Sequence, residues 1–227
     1  MNVFKYAKNM NQRDTLKTEV NVLANFNPVV PENYRSPNVV VLGNLDPIIQ
    51  LKVMEQIINP PTITILDTMN FWIGGKQEEL WKVLEKVDVL VINDGEAREL
   101  GQDSNLVKVA QDILARGPKH LIVKRGEYGV LMFNGKQTFG APAFPLEMVK
   151  DPTGAGDTFA GGFMGHLAAT KDFSDAGMRR AIIFGSVMAS FNVEAFSLDR
   201  LRDLDYKEVE ARFREFKRLT HFEDLSL

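Results

Sequence analysis

Apolar residues arrive in short unbroken runs separated by helix-spaced stretches. That alternation predicts a mainly parallel sheet flanked by helices. Residues 39–43 (VVVLG), 62–69 (TITILDTM), 87–93 (VDVLVIN) and 120–124 (HLIVK) read as buried strands, because a strand covered on both faces needs no strict polar alternation. Between them, residues 46–58, 77–85 and 105–115 read as helices. The first opens with Asp46 as cap and Pro47 in its first turn, and the third stops at Gly117 and Pro118. Residues 129–133 and 138–140 predict a hairpin, since only 134–137 separate them. Helices at 155–169, 174–192 and 206–219 complete the chain. In the last, Val209, Phe213, Phe216 and Leu219 form one apolar stripe that predicts docking on a core. Residues 19–26 (EVNVLANF) alternate, with Val20, Val22, Ala24 and Phe26 on one face, the pattern of a half-exposed strand.

Composition narrows the class. With 227 residues, 44% hydrophobic and 25% charged, the chain has room for one large α/β core or two small domains. A net charge of -3, with no basic tail or arginine-rich face, argues against a nucleic-acid partner. No apolar run reaches the ~18 residues of a membrane span. The absence of cysteine excludes disulfides and thiolate chemistry, and His120, His166 and His221 show no metal spacing. No internal repeat or low-complexity segment interrupts the pattern. A cytoplasmic enzyme is the expectation.

The chemistry concentrates in residues 151–163, DPTGAGDTFAGGF, a glycine-rich turn running directly into a helix. Gly154 and Gly156 allow positive φ and close approach to a ligand. The first amides of a helix lack internal partners and lie at the positive end of its dipole, so anions bind there. Asp157 beside such a site repels an anion, a cost that makes sense if the carboxylate is needed to take a proton from whatever attacks it. The competing reading is a helix cap, worth ~1 kcal/mol.

This run resembles the D-T-x-G-A-G-D signature of the ribokinase-like (PfkB) family of carbohydrate and nucleoside kinases, with Pro152 in the second place. The resemblance implies phosphoryl transfer from ATP to a small-molecule hydroxyl, with Asp157 as catalytic base and the amides of Gly154, Ala155 and Gly156 as the anion hole. The family's N-x-x-E motif is matched by Asn93 to Glu96, which in the family serves Mg2+ and the phosphates; Glu96 would act through water. The same pair reads alternatively as the start of a helix through Leu100. The family's strand ending in [T/K]-x-G-x-x-G, close to the nucleotide phosphates, is matched at Lys124 and Gly126, where a plain β-turn is the alternative. Residues 184–193 (FGSVMASFNV) occupy the place of one wall of the adenine pocket, with Gly185, Ser186, Ala189 and Val193 as candidates and close helix packing as the alternative. Where the family has a glycine a few residues later, this chain has Phe196 and Ser197. Asp151 matches an acid used in a monovalent-cation site, which allows K+ activation.

The resemblance implies a three-layer αβα ribokinase-like fold with a mainly parallel sheet. Residues 1–30 are expected to be the remnant of a β-strand lid, and residues 31–227 the nucleotide-binding and catalytic domain. The family's opening strand, its substrate-binding acid and its Gly-Gly motif have no match here. The fold is therefore expected to be N-terminally truncated, and the chain to be a fragment of a longer protein, with a shortened form of altered substrate binding as the alternative. Gly43, Asn44, Asp67 and Asn70, at strand ends, are the weaker candidates for substrate contact, with turn or cap chemistry as the alternative. Lid strands with a free edge allow a homodimer. The leading function is an ATP- and Mg2+-dependent sugar or nucleoside kinase; the alternative is a nucleotide-binding remnant without catalysis. A Rossmann dehydrogenase is disfavoured, because no G-x-G-x-x-G follows an early strand.

Overall fold

A computed structural model describes residues 2–6 and 13–224, and side chains from Leu16 onward. The chain divides into two compact units. The first runs through Arg125 and adds Leu131–Phe139; the second takes Gly126–Val130 and continues from Gly140.

The first unit is built on strands β3 (Val39–Leu42), β4 (Ile63–Asp67), β5 (Val89–Asn93) and β6 (His120–Lys124), which pair in parallel in that order. The sheet continues through β7 (Val130–Phe133) and β8 (Thr138–Ala141). These two are joined by a tight turn in which Asn134 Oδ1 accepts the amides of Lys136 and Gln137 at 3.1 and 2.9 Å. The apolar runs are continuous because both faces of the sheet are covered: Ile65, Leu66, Val89 to Ile92 and Leu121 to Val123 are wholly buried. Helices α1 (Pro47–Glu55), α2 (Asn70–Gly75), α3 (Gln77–Leu84), α4 (Asp94–Gly101) and α5 (Leu106–Leu114) follow the strands. Leu80, Val83, Leu84, Ala97, Val109 and Ile113 from these helices complete one core with Leu66, Leu90 and Leu121. Asp46 Oδ1 caps α1 through the Ile48 amide at 3.0 Å, as its position before Pro47 predicted. Asn105 Oδ1 caps α5 through the Val107 amide at 2.9 Å.

The N-terminal segment corrects the sequence reading. Its strands are β1 (Asn2–Tyr6) and β2 (Arg13–Thr18), an antiparallel pair. Residues 19–26, expected to be a strand, instead contain a 3-10 helix, Asn21–Asn25. Asn21 takes a left-handed φ of 48°, which breaks the extended run, and Val22 and Phe26 are exposed. Alternation alone does not hold a strand without a neighbour to pair with. Residues 1 and 7–12 of the expected lid lie outside the described residues.

The second unit is helical. α6 (Ala155–Thr170) and α7 (Asp175–Asn192) pack side by side. At their crossing a Cβ on Gly185 would stand 2.7 Å from the Phe159 carbonyl oxygen, and one on Gly162 would stand 2.9 Å from Met188. α8 (Asp199–Arg202) and α9 (Tyr206–Leu219) close the chain. Val209 and Phe216 of α9 are buried against Val187 and Phe191, with Phe213 packed alongside. Leu219, the fourth member of the expected stripe, is exposed instead, because it lies in the last turn, beyond the packed stretch.

Candidate functional site

In the first unit the candidates gather at the carboxyl ends of adjacent strands, where open α/β sheets bind ligands. Asn93 ends β5 and caps α4. Its Oδ1 accepts the Glu96 amide at 2.8 Å, while Glu96 Oε2 accepts the Asn93 amide at 2.8 Å, a reciprocal capping box. The helix-start reading of N-x-x-E is therefore realised, and one Glu96 oxygen is committed to it. Glu96 is buried, which an ionised carboxylate tolerates only with such partners.

Lys124 ends β6 in register with Asn93. Its Nζ lies 3.7 Å from Asp67 Oδ1 at the end of β4, with side-chain exposures of 19% and 14%. This ion pair spans the end of β5 and so brings three candidates, Asp67, Asn93 and Lys124, to one edge. At the end of β3 the Gly43 carbonyl accepts from Gln50 Nε2 at 2.7 Å, and Asn44 Oδ1 accepts from Trp72 Nε1 at 3.0 Å. Asn70 opens α2 and is exposed. Sequence reasoning missed Gln50 and Thr68. Both are buried, and Gln50 Oε1 and Thr68 Oγ1 have no hydrogen-bond partner among the described residues. The signal was present: a glutamine on the apolar face of α1 and a threonine directly after Asp67.

In the second unit, Gly154 adopts φ 83°, ψ -3° and precedes the first residue of α6, with no side chain capping the helix. The left-handed turn expected of a glycine is taken here, but not at Gly156, which lies inside the first helical turn. The Ala155 amide is used in the turn, donating to the Pro152 carbonyl at 3.2 Å. Asp151 Oδ1 accepts the Thr153 amide at 2.9 Å and tightens the loop. Asp157 lies in the first turn of α6 and is exposed. Among the described residues its carboxylate has no hydrogen-bond or ion-pair partner. An acid used as a cap would be bonded to an amide; this one is not.

On α7, Ser186 and Ala189, with Val193 at its end, are spaced three and four apart and share a half-buried face. Gly185 turns away and fills the close contact with α6, so for that residue helix packing explains the glycine. Ser197 takes a left-handed φ of 54°, the conformation a glycine would adopt freely. Gly126 is likewise left-handed, at φ 56°, and begins a 3-10 turn, Gly126–Tyr128.

Near the start of α7, Asp172 is held below the usual carboxylate range. The cause is first the Ser174 hydroxyl and amide that it accepts, and then Arg180. His166, stacked on Phe184 at 5.0 Å, is pushed below the ordinary histidine value by burial first and by Arg180 second.

Residues 51–201 match the pfkB family carbohydrate kinase. The chain belongs to this family. A cytidine kinase from Thermococcus kodakarensis is 28% identical over 159 residues, covering 67% of this chain and 56% of that protein. The nucleoside kinase structure from Methanocaldococcus jannaschii, described as an archaeal member of the ribokinase family, superposes with a TM-score of 0.69 at 23% identity, covering 93% of this chain and 67% of that one. An E. coli structure assigned as a ribokinase II, in complex with ATP and Mg2+, gives a TM-score of 0.60 at 25% identity, covering 74% of this chain and 53% of that one. The chain thus spans little more than half of the cytidine kinase, and the mainly parallel sheet is that of the ribokinase fold.

Among the described residues no group of three or more His, Cys, Asp or Glu side chains is placed to hold a metal ion. No helix among the described residues is long and apolar enough to cross a membrane.

Proposed function

We propose that this chain carries out ATP- and Mg2+-dependent phosphoryl transfer to a hydroxyl of a small sugar or nucleoside. The observation that carries the reading is the start of α6: a left-handed Gly154, a helix N-terminus that no side chain caps, and in its first turn an Asp157 whose carboxylate has no partner among the described residues. In this reading Asp157 accepts the hydroxyl proton. The hydroxyl oxygen attacks the γ-phosphorus, the bond to the β,γ-bridging oxygen breaks, and ADP leaves. The anion hole is assigned to the amides of Gly154 and Gly156, which would stabilise charge on the transferring group; the Ala155 amide would have to leave the Pro152 carbonyl to join them.

Glu96 is the residue that would hold Mg2+ through its waters, with Asn93 assigned beside it to the nucleotide, and the ion would neutralise phosphate charge. Lys124 and Gly126 are assigned to the phosphates. Ser186, Ala189 and Val193, with Gly185 behind them, are assigned to the adenine wall. Gly43, Asn44, Asp67 and Asn70 are assigned to the acceptor substrate. Asp151 is the residue through which K+ activation would act. Residues 1–30 are read as a lid remnant whose strands can pair with a second copy, residues 31–227 as the catalytic domain, and the reaction as cytoplasmic.

The test is ADP release with Mg-ATP against a panel of sugars and nucleosides. Turnover with one class of acceptor is expected and names the substrate. Mg-ATP binding without turnover on any acceptor would instead support a nucleotide-binding remnant.

A further inference from the structure

The C-terminal end of α7 is held more firmly than a helix end requires. Glu194, one residue beyond the cap Val193, accepts from Arg212 at 2.7 Å through Oε1 and from Arg200 at 3.2 Å through Oε2. Arg212 also donates to Ser190 Oγ at 3.1 Å, and its guanidinium lies 3.5 Å from the Phe191 ring centroid and 4.9 Å from that of Phe144. Arg200 lies 4.9 Å from the Phe191 centroid and pairs with Glu208 as well. Arg212 is only 16% exposed. A desolvated ion pair of this kind gives little net stability over apolar packing, though losing one partner is costly. Its fixed geometry is therefore the feature that asks for a role.

The residues beside Glu194 supply one. The Val193 carbonyl accepts the amides of Lys150 and Asp151 at 2.8 and 3.4 Å. Asn192, buried, donates through Nδ2 to the Ser197 carbonyl at 3.1 Å. Its Oδ1, which has no hydrogen-bond partner among the described residues, stands 3.5 Å from the position a Cβ on Gly154 would take. Three consecutive residues thus face the start of the 151–157 loop, the Gly154 turn and the arginine pair. The same helix end carries Val193 of the assigned adenine wall.

We propose that Arg212 and Glu194 are positioning residues. Arg212, projecting from α9, fixes Glu194 and thereby the Val193 carbonyl, which sets the loop bearing Gly154 and Asp157 relative to the nucleotide wall on α7. The inference rests on the reading of that loop as the phosphoryl site.

The experiment measures amide hydrogen exchange at Lys150 and Asp151, together with Mg-ATP kinetics, in Arg212→Met, Arg212→Lys and Glu194→Gln. Exchange at those two amides is expected to quicken about tenfold or more in Arg212→Met, while the β5 amides keep their wild-type rates. KM for ATP is expected to rise about tenfold, with Arg212→Lys recovering part of both effects. A merely structural role would lower apparent kcat with the folded fraction and leave KM and local exchange unchanged. Should Arg212→Met not fold, Arg212→Lys and Glu194→Gln carry the same readouts. Unchanged exchange in folded variants, or quickened exchange with an unchanged KM in an active enzyme, overturns the proposal. A wild-type chain that neither binds nor turns over Mg-ATP overturns the phosphoryl-transfer reading, whereas the exchange rates still decide whether the clamp holds the loop.

Discussion

Gly177 and Gly165 are both helical, yet their surroundings make opposite demands. A Cβ on Gly177 would stand 2.1 Å from the Asp172 carbonyl oxygen, whereas one on Gly165 would meet nothing within 4 Å. Gly177→Ala is expected to cost ~1–3 kcal/mol by overpacking, and Gly165→Ala to gain ~0.5–1 kcal/mol from helix propensity. Thermal or urea unfolding of the two variants measures both signs. Asp172 adds a pH-dependent contribution. Its folded pKa lies below the unfolded value, so its stabilisation is present above the usual carboxylate range and is lost as pH falls through the folded value. Asp172→Asn is therefore expected to be less stable than wild type at neutral pH, with the gap closing in acid; urea midpoints across pH follow it. Single residues were unevenly legible in the sequence. Gly154 could be read because a signature turn needs its left-handed φ. Asn192 and Arg212 could not, because their roles come from contacts between segments distant in the chain.

At the scale of elements, capping separates structure from chemistry. Asn105 caps α5 and Asn93 caps α4, each by accepting a first-turn amide. Asn105→Ala and Asn93→Ala should each cost ~1 kcal/mol of stability. Only Asn93→Ala is expected to weaken Mg-ATP binding as well, so calorimetric titration alongside unfolding distinguishes the two. Strands β3 to β6 were legible as continuous apolar runs because burial on both faces removes polar alternation. Helix α1 was legible from its Asp46 cap and Pro47, and helix α5 from the stop at Gly117 and Pro118. The 3-10 helix Asn21–Asn25 was misread, since a short alternating run has no register without a paired strand and Asn21 turns left-handed. Helix α2, six residues with tandem glycines, gave too little periodicity to be seen.

For the molecule as a whole, family membership and the parallel sheet agree with the motif order N-x-x-E, then the Lys124 segment, then DPTGAGD. The two units hold different parts of that inventory: the strand-end groups Asp67, Asn93, Glu96 and Lys124 in the first, and the Gly154 turn, Asp157 and the α7 face in the second. In the proposed reaction Asp157 takes the acceptor proton. The most direct measurement compares wild type with Asp157→Asn for ADP release on the active acceptor and for Mg-ATP affinity by titration. Turnover is expected to fall by ~10²–10⁴-fold while Mg-ATP affinity stays near wild type. Turnover that survives the substitution, in a folded variant that still binds Mg-ATP, would contradict it.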